Sequence, residues 1–180
     1  MTKHQIHSTP RRMQRGASLL EGIAYLGIAA IVVIGAIALL NTAFSSANSN
    51  ELNSELSAIQ TASRKLFMTT QGNYGSADFT TTLVTAKGFP QTLVAASDGT
   101  VTNPWAGTVA VAAGTSNTEF TITYTQVPAD VCVNALTSTT TGWVSVTGPA
   151  DKQAHTPPIT PAVAQTACGS AGGTVVWTSN

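Results

Sequence analysis

A chain of 180 residues has room for one ordinary domain and an N-terminal segment, because domains cluster near ~100–150 residues. Only 9% of the residues are charged, against about 25% in an average soluble protein, so hydroxyls rather than charges must keep the surface in water; such a surface suits a chain that packs against its own copies or sits outside the cell. The formal charge of zero is divided: residues 1–16 carry Lys3, Arg11, Arg12 and Arg15 and no acid, while the other 164 carry four basic and eight acidic groups, a net of −4 that leaves nothing to grip nucleic acid phosphates.

The first element follows that basic leader. Gly22 to Leu40 is a run of 19 uncharged residues, which as a helix spans roughly 28 Å, close to the hydrocarbon thickness of a bilayer. Positive charge before the run and none directly after it predicts that residues 1–16 stay cytoplasmic and the remainder is exported. Three kinds of segment fit. A secretory signal would be cut after Ala47, where Ser45 and Ala47 supply small residues before Asn48, but its apolar core is usually only about 7–15 residues. A permanent anchor explains the length and leaves Glu21, the only charge between Ala17 and Leu40, as a cost of several kcal/mol with no return. The third is a segment cut between Gly16 and Ala17 that keeps its apolar helix in the mature protein.

The stretch "RGASLLEGIAYLGIAAIVVIGAIALL" resembles the leader and helix of type IV pilins: a basic leader ending in Gly, a cut before an apolar residue, and a Glu four positions after the new N-terminus. The 16-residue leader resembles the type IVb branch, and Ala17 departs from the bulky first residue of many members. The resemblance implies that the cut frees an α-amino group at Ala17, titrating near ~8 when unperturbed, and that Glu21 of one subunit pairs with the Ala17 amine of its neighbour. Because an unpaired buried charge costs far more than a paired one, the pair of Glu21 and Ala17 would set the axial register of incoming subunits.

No Pro or Gly interrupts residues 36–71, so the helix is expected to continue from Ala17 to about Thr70, roughly 54 residues or ~80 Å. Leu52, Leu56, Ile59 and Leu66 form a stripe at spacings of 4, 3 and 7. Glu51, Glu55, Arg64 and Lys65 are read as ordinary charges on the solvated side. Gly22, Gly27 and Gly35 each weaken the first half by about 1 kcal/mol relative to Ala, which makes Gly27 to Gly35 the stretch expected to loosen under filament packing.

From Gln71 the texture changes to Gly, Thr, Asn and Pro. "GNYGSADFTTTLVTAKGFP" reads as a turn, then a short helix or loop, then a break at Gly88 to Pro90. Strands are expected at 108–112, 119–125, 142–147 and 174–178; Phe120, Ile122 and Tyr124 alternate with threonines, as a half-covered sheet requires. Trp105, Trp143 and Trp177 read as core or rim aromatics. "VPADVCVNAL" reads as a short helix opened by Pro128, and "ITPAVAQTACG" offers Thr160 as N-cap, Pro161 as first helical residue and Gly169 as terminator. Two cysteines in an exported chain, Cys132 and Cys168, read as one disulfide stapling these helices at the edge of the sheet. "NPWAG" and "TPAVAQTAC" extend the resemblance to bundle-forming and conjugative thin-pilus (PilS-like) pilins of the type IVb group.

The fold class expected is therefore α+β: a leader at 1–16, a helix at 17–70 with 17–40 crossing the membrane or lining a filament core, and a head at 71–180 whose antiparallel sheet packs on the helix. Chemistry is sparse. Asp151, His155 and Cys168 can be drawn as a thiol nucleophile with its base, but no oxyanion-hole motif accompanies them. "CGSAGG" lacks the Lys of a phosphate-binding loop, and no metal-ligand or cofactor spacing occurs. The resemblance implies a structural subunit with identical subunits as partners, plus a prepilin peptidase, an inner-membrane assembly platform and its ATPase. It would sit in the inner membrane of a Gram-negative bacterium as precursor and in a surface filament afterwards, used in adhesion, aggregation or mating. The alternative from another class is a membrane-anchored periplasmic binding domain that does not polymerise.

Overall fold

The computed structural model describes residues 19–180. The chain divides into two units, one ending at Asn41 and the other running from Thr42 to Asn180.

The first unit supplies the opening of helix α1 (Leu19–Leu66), with Glu21 in its first turn. Gly22, Gly27 and Gly35 are all helical here. Large apolar side chains point outward on every side, with Leu19, Ile23, Leu26, Val32 and Ile37 each at least 60% exposed. A helix that is apolar all round belongs inside a bundle or a bilayer, and α1 is long and apolar enough to cross a membrane.

In the second unit the rest of α1 becomes amphipathic. Leu52, Leu56 and Ile59 are buried and Leu66 is half-buried, so the stripe faces the core. The helix ends at Leu66 rather than near Thr70. The chain tightens into a 3-10 turn at Met68–Thr70, and Gln71 in the left-handed region (φ 57) closes it. There follow α2 (Thr80–Thr85), β1 (Val94–Ala95), β2 (Val101–Thr102), β3 (Thr108–Ala113), β4 (Phe120–Val127), α3 (Ala129–Ser138), β5 (Ser145–Thr147), β6 (Ala154–His155), α4 (Pro161–Cys168) and β7 (Gly173–Ser179).

Among the described residues the strands form one seven-stranded sheet in the order β1-β2-β3-β4-β7-β5-β6, antiparallel at every pairing. The centre is β4, where Phe120, Ile122 and Tyr124 are buried and the intervening threonines are half-buried. Alternation of this kind puts one face of a strand on a core, and β7 repeats it with Val175, Trp177 and Ser179. A register shift between Tyr124 and Val127 is accommodated by Gln126 at φ 58, the geometry of a bulge. It turns the end of β4 into α3.

Strand β5 is shorter than the alternating pattern suggests, because Thr140 to Trp143 is a turn with the Trp143 N–H on the Thr140 carbonyl. Strands β1, β2 and β6 are two residues each, too short to leave an alternating signature. Trp177 and Trp143 are buried in the core and Trp105 packs half-buried against it.

Candidate functional site

Gly16 and Ala17, the expected processing bond, lie outside the described residues, as does the amine that Glu21 is expected to meet. Glu21 itself is exposed in the first turn of α1, where a carboxylate is favoured by the helix dipole. Around it the large apolar side chains from Leu19 to Leu40 are exposed among the described residues, a surface suited to a bilayer or to other helices.

Cys132 in α3 and Cys168 in α4 are bonded, with Cα atoms 5.9 Å apart and a separation of 36 residues. Both are buried. Pro128 opens α3. Thr160 precedes Pro161 at the start of α4, as read from the sequence, but its side chain makes no capping hydrogen bond. Gly169 ends α4 at φ 62. The "CGSAGG" turn is packing, not a phosphate cradle: Gly172 (φ 67) lies so close to the end of β4 that a Cβ there would stand 2.2 Å from the Val127 carbonyl oxygen.

Glu55 corrects the reading of α1. It was expected on the solvated side with Glu51, Arg64 and Lys65, which are exposed; instead it is only 3% exposed. Its Oε1 accepts a hydrogen bond from Thr92 Oγ1 at 2.6 Å and its Oε2 accepts one from the Tyr124 hydroxyl at 3.0 Å. Burial pushes its pKa up, the two hydroxyls oppose that, and Glu51 adds to it. Burial, with the Glu55 charge and this contact added, drives the Tyr124 hydroxyl far above its ordinary value. The signal was present in the chain: 52, 55, 56 and 59 share the i, i+3, i+4, i+7 spacing of one helix face. Arg64 is exposed and binds the Asn180 carbonyl oxygen (2.8 Å) and Ser179 Oγ (3.1 Å), tying α1 to the end of β7.

The one ion pair among the described residues is His155 Nε2 with Asp151 Oδ2, 2.7 Å apart. Burial raises the Asp151 pKa, but the Gln153 N–H and the His155 ring outweigh it and hold the carboxyl below its ordinary value. Cys168 is in the disulfide and has no thiol to complete a nucleophilic triad. Among the described residues no three His, Cys, Asp or Glu side chains converge on a metal position. An open groove of about 350 Å³ between the end of α1 and α2 is lined by Ala62, Leu66 and Leu83 with Lys65 and Lys87; it contains no acid–base pair.

The described residues thus combine an exposed apolar helix with a disulfide-closed head. Residues 46–180 match the PilS N-terminal family. The chain belongs to that family. Two relatives are each called the major structural subunit of bundle-forming pilus. That of Escherichia coli O127:H6 (strain E2348/69 / EPEC) is 28% identical, covering 91% of this chain and 92% of that protein. That of Escherichia coli O111:H- is 27% identical with the same coverage. The crystal structure of TcpA, a type IV pilin from Vibrio cholerae El Tor biotype, superposes with a TM-score of 0.53 at 15% identity, covering 74% of this chain and 99% of that one. The PilS-family chain therefore has the type IV pilin fold, with its long N-terminal helix, antiparallel head and single disulfide.

Proposed function

We propose that the chain is the structural subunit of a type IVb pilus. The observation that carries this reading is the match of residues 46–180 to the PilS N-terminal family joined to an N-terminal helix whose apolar side chains are uncovered on every side. The curated relatives named as pilus subunits span nearly the whole chain, and the role is structural rather than enzymatic.

In this reading the precursor is held in the inner membrane by residues 17–40, with 1–16 as a cytoplasmic leader and 71–180 exported. A prepilin peptidase cuts between Gly16 and Ala17, and an inner-membrane platform driven by an ATPase moves subunits into an extracellular helical homopolymer. Leaving the bilayer would expose the apolar surface of the helix to water at about 25 cal/mol per Å². Packing these helices against one another removes that cost and supplies the cohesion of the filament. Docking is set by Glu21 and the Ala17 amine of adjacent subunits. Breaking one member of a buried charge pair costs about 3–5 kcal/mol because the other is stranded, so a subunit in the wrong register is rejected.

Glu21→Ala tests the docking role. Processing is expected to proceed, read by the mass of the chain in the membrane fraction, while the yield of sheared filament falls severely. A normal filament yield with Glu21→Ala contradicts the role of the pair.

A further inference from the structure

Glu55 lies where three elements of the head meet. It projects from α1 between Leu52 and Leu56, with Tyr124 of β4 on one side and Thr92, in the irregular segment between α2 and β1, on the other. Both partners are neutral hydroxyls that donate to the carboxylate. The remaining group that acts on it is Glu51, one turn earlier on α1, a like charge. No cation is among these groups, and among the described residues the one ion pair is His155 with Asp151. A carboxylate buried without a cation is costly to ionise, since hydrogen bonds restore only part of its hydration.

We propose that Glu55 is a proton-operated latch: while it is protonated the segment between α2 and β1 lies closed over α1, and its ionisation opens that segment to water. The ionised carboxylate must be hydrated from one side or the other. Tyr124 is fully buried in β4, and β4 is paired on both edges, to β3 and β7, so that side holds. Thr92 is on the surface, and the backbone bonds around it are local, Gly88 N–H to the Leu83 carbonyl and Leu93 N–H to the Pro90 carbonyl. Phe89, half-buried against the core, and the pairing of Val94 with Thr102 anchor the two ends of this stretch, so between them the Thr92 hydroxyl and the buried side chain of Leu93 hold it to α1. Water therefore enters past Thr92, the proton passes to it, and Leu93 is uncovered.

The sign follows from burial. A carboxyl whose folded pKa stands above its unfolded value contributes stability that is complete below the ordinary carboxylate range and is lost as pH rises through the folded pKa. The head is thus expected to be tightest below the ordinary carboxylate range and to loosen as pH rises through the raised pKa of Glu55.

The test uses the full chain in detergent micelles. Hydrogen-exchange protection at the Leu93 amide, which donates to the Pro90 carbonyl, is corrected for intrinsic rates and measured against pH together with the ¹³C resonance of the Glu55 carboxyl. Protection is expected to fall as that resonance titrates, by roughly tenfold for each pH unit by which its midpoint exceeds the ordinary value, while amides in β4 stay protected. Glu55→Gln should hold protection flat across the same range, and Glu51→Gln should lower the midpoint. A carboxyl that titrates at its ordinary 4.5 would overturn the proposal, as would protection at the Leu93 amide that ignores the titration. The carbon titration is made on the unaltered chain, so it decides the matter even if Glu55→Gln fails to fold.

Discussion

Removing the disulfide probes the head most sharply. The bond between Cys132 and Cys168 closes a loop with a separation of 36 residues. For a loop of that length the chain-entropy relation gives about 4 kcal/mol at room temperature, against a total stability of ~5–15 kcal/mol for a typical domain. The loop contains β5, β6 and most of α3 and α4, and its buried residues include Leu136, Trp143, Val146 and Ile159. Opening it frees the denatured chain without removing those contacts from the folded head. The double substitution Cys132→Ala with Cys168→Ala is preferable to serine, because both sites are buried and a hydroxyl there would need a partner. Denaturant unfolding of the parent, the reduced parent and the double variant should show both altered forms less stable by roughly 3–5 kcal/mol, with a thermal midpoint lower by roughly 10–15 °C. Amide chemical shifts away from the two sites should stay nearly unchanged under native conditions. A loss under ~1 kcal/mol in both altered forms would refute the loop-closure argument.

Three substitutions test the packing. Leu56→Ala removes a 2%-exposed side chain from the seam between α1 and the sheet; urea unfolding should show a loss of about 2–5 kcal/mol, and a loss under ~1 kcal/mol would mean that the stripe is not packed as described. Ser63 Oγ is buried with no hydrogen-bond partner, so Ser63→Ala should be neutral or stabilising by up to ~1 kcal/mol; destabilisation in the same assay would reveal a partner. Gly172→Ala places a methyl against the Val127 carbonyl at a left-handed φ, and a cost of at least ~1–3 kcal/mol is expected by thermal unfolding.

Much of this architecture is legible in the chain because its signals are periodic. The Leu52, Leu56, Ile59 stripe and the Phe120, Ile122, Tyr124 alternation each repeat long enough to mark a face. The Thr160, Pro161 and Gly169 punctuation brackets α4 closely. What escaped was whatever depends on a neighbour remote in sequence. The pairing of β1 with β2 rests on two residues of each strand, and the burial of Glu55 depends on Tyr124, 69 positions away. Charge was the misleading cue at Glu55: its place on the apolar stripe was a better guide than its chemistry. Glu21, by contrast, is singled out by composition alone, in a run where every neighbour is uncharged.

The account depends most on the fate of the first sixteen residues. Intact-mass and N-terminal analysis of sheared, purified filaments reads it directly. A subunit beginning at Ala17, carrying the disulfide between Cys132 and Cys168 and forming the bulk of the filament, is the predicted result. A chain that keeps Met1 and stays in the membrane, or a soluble product beginning near Asn48, would contradict it.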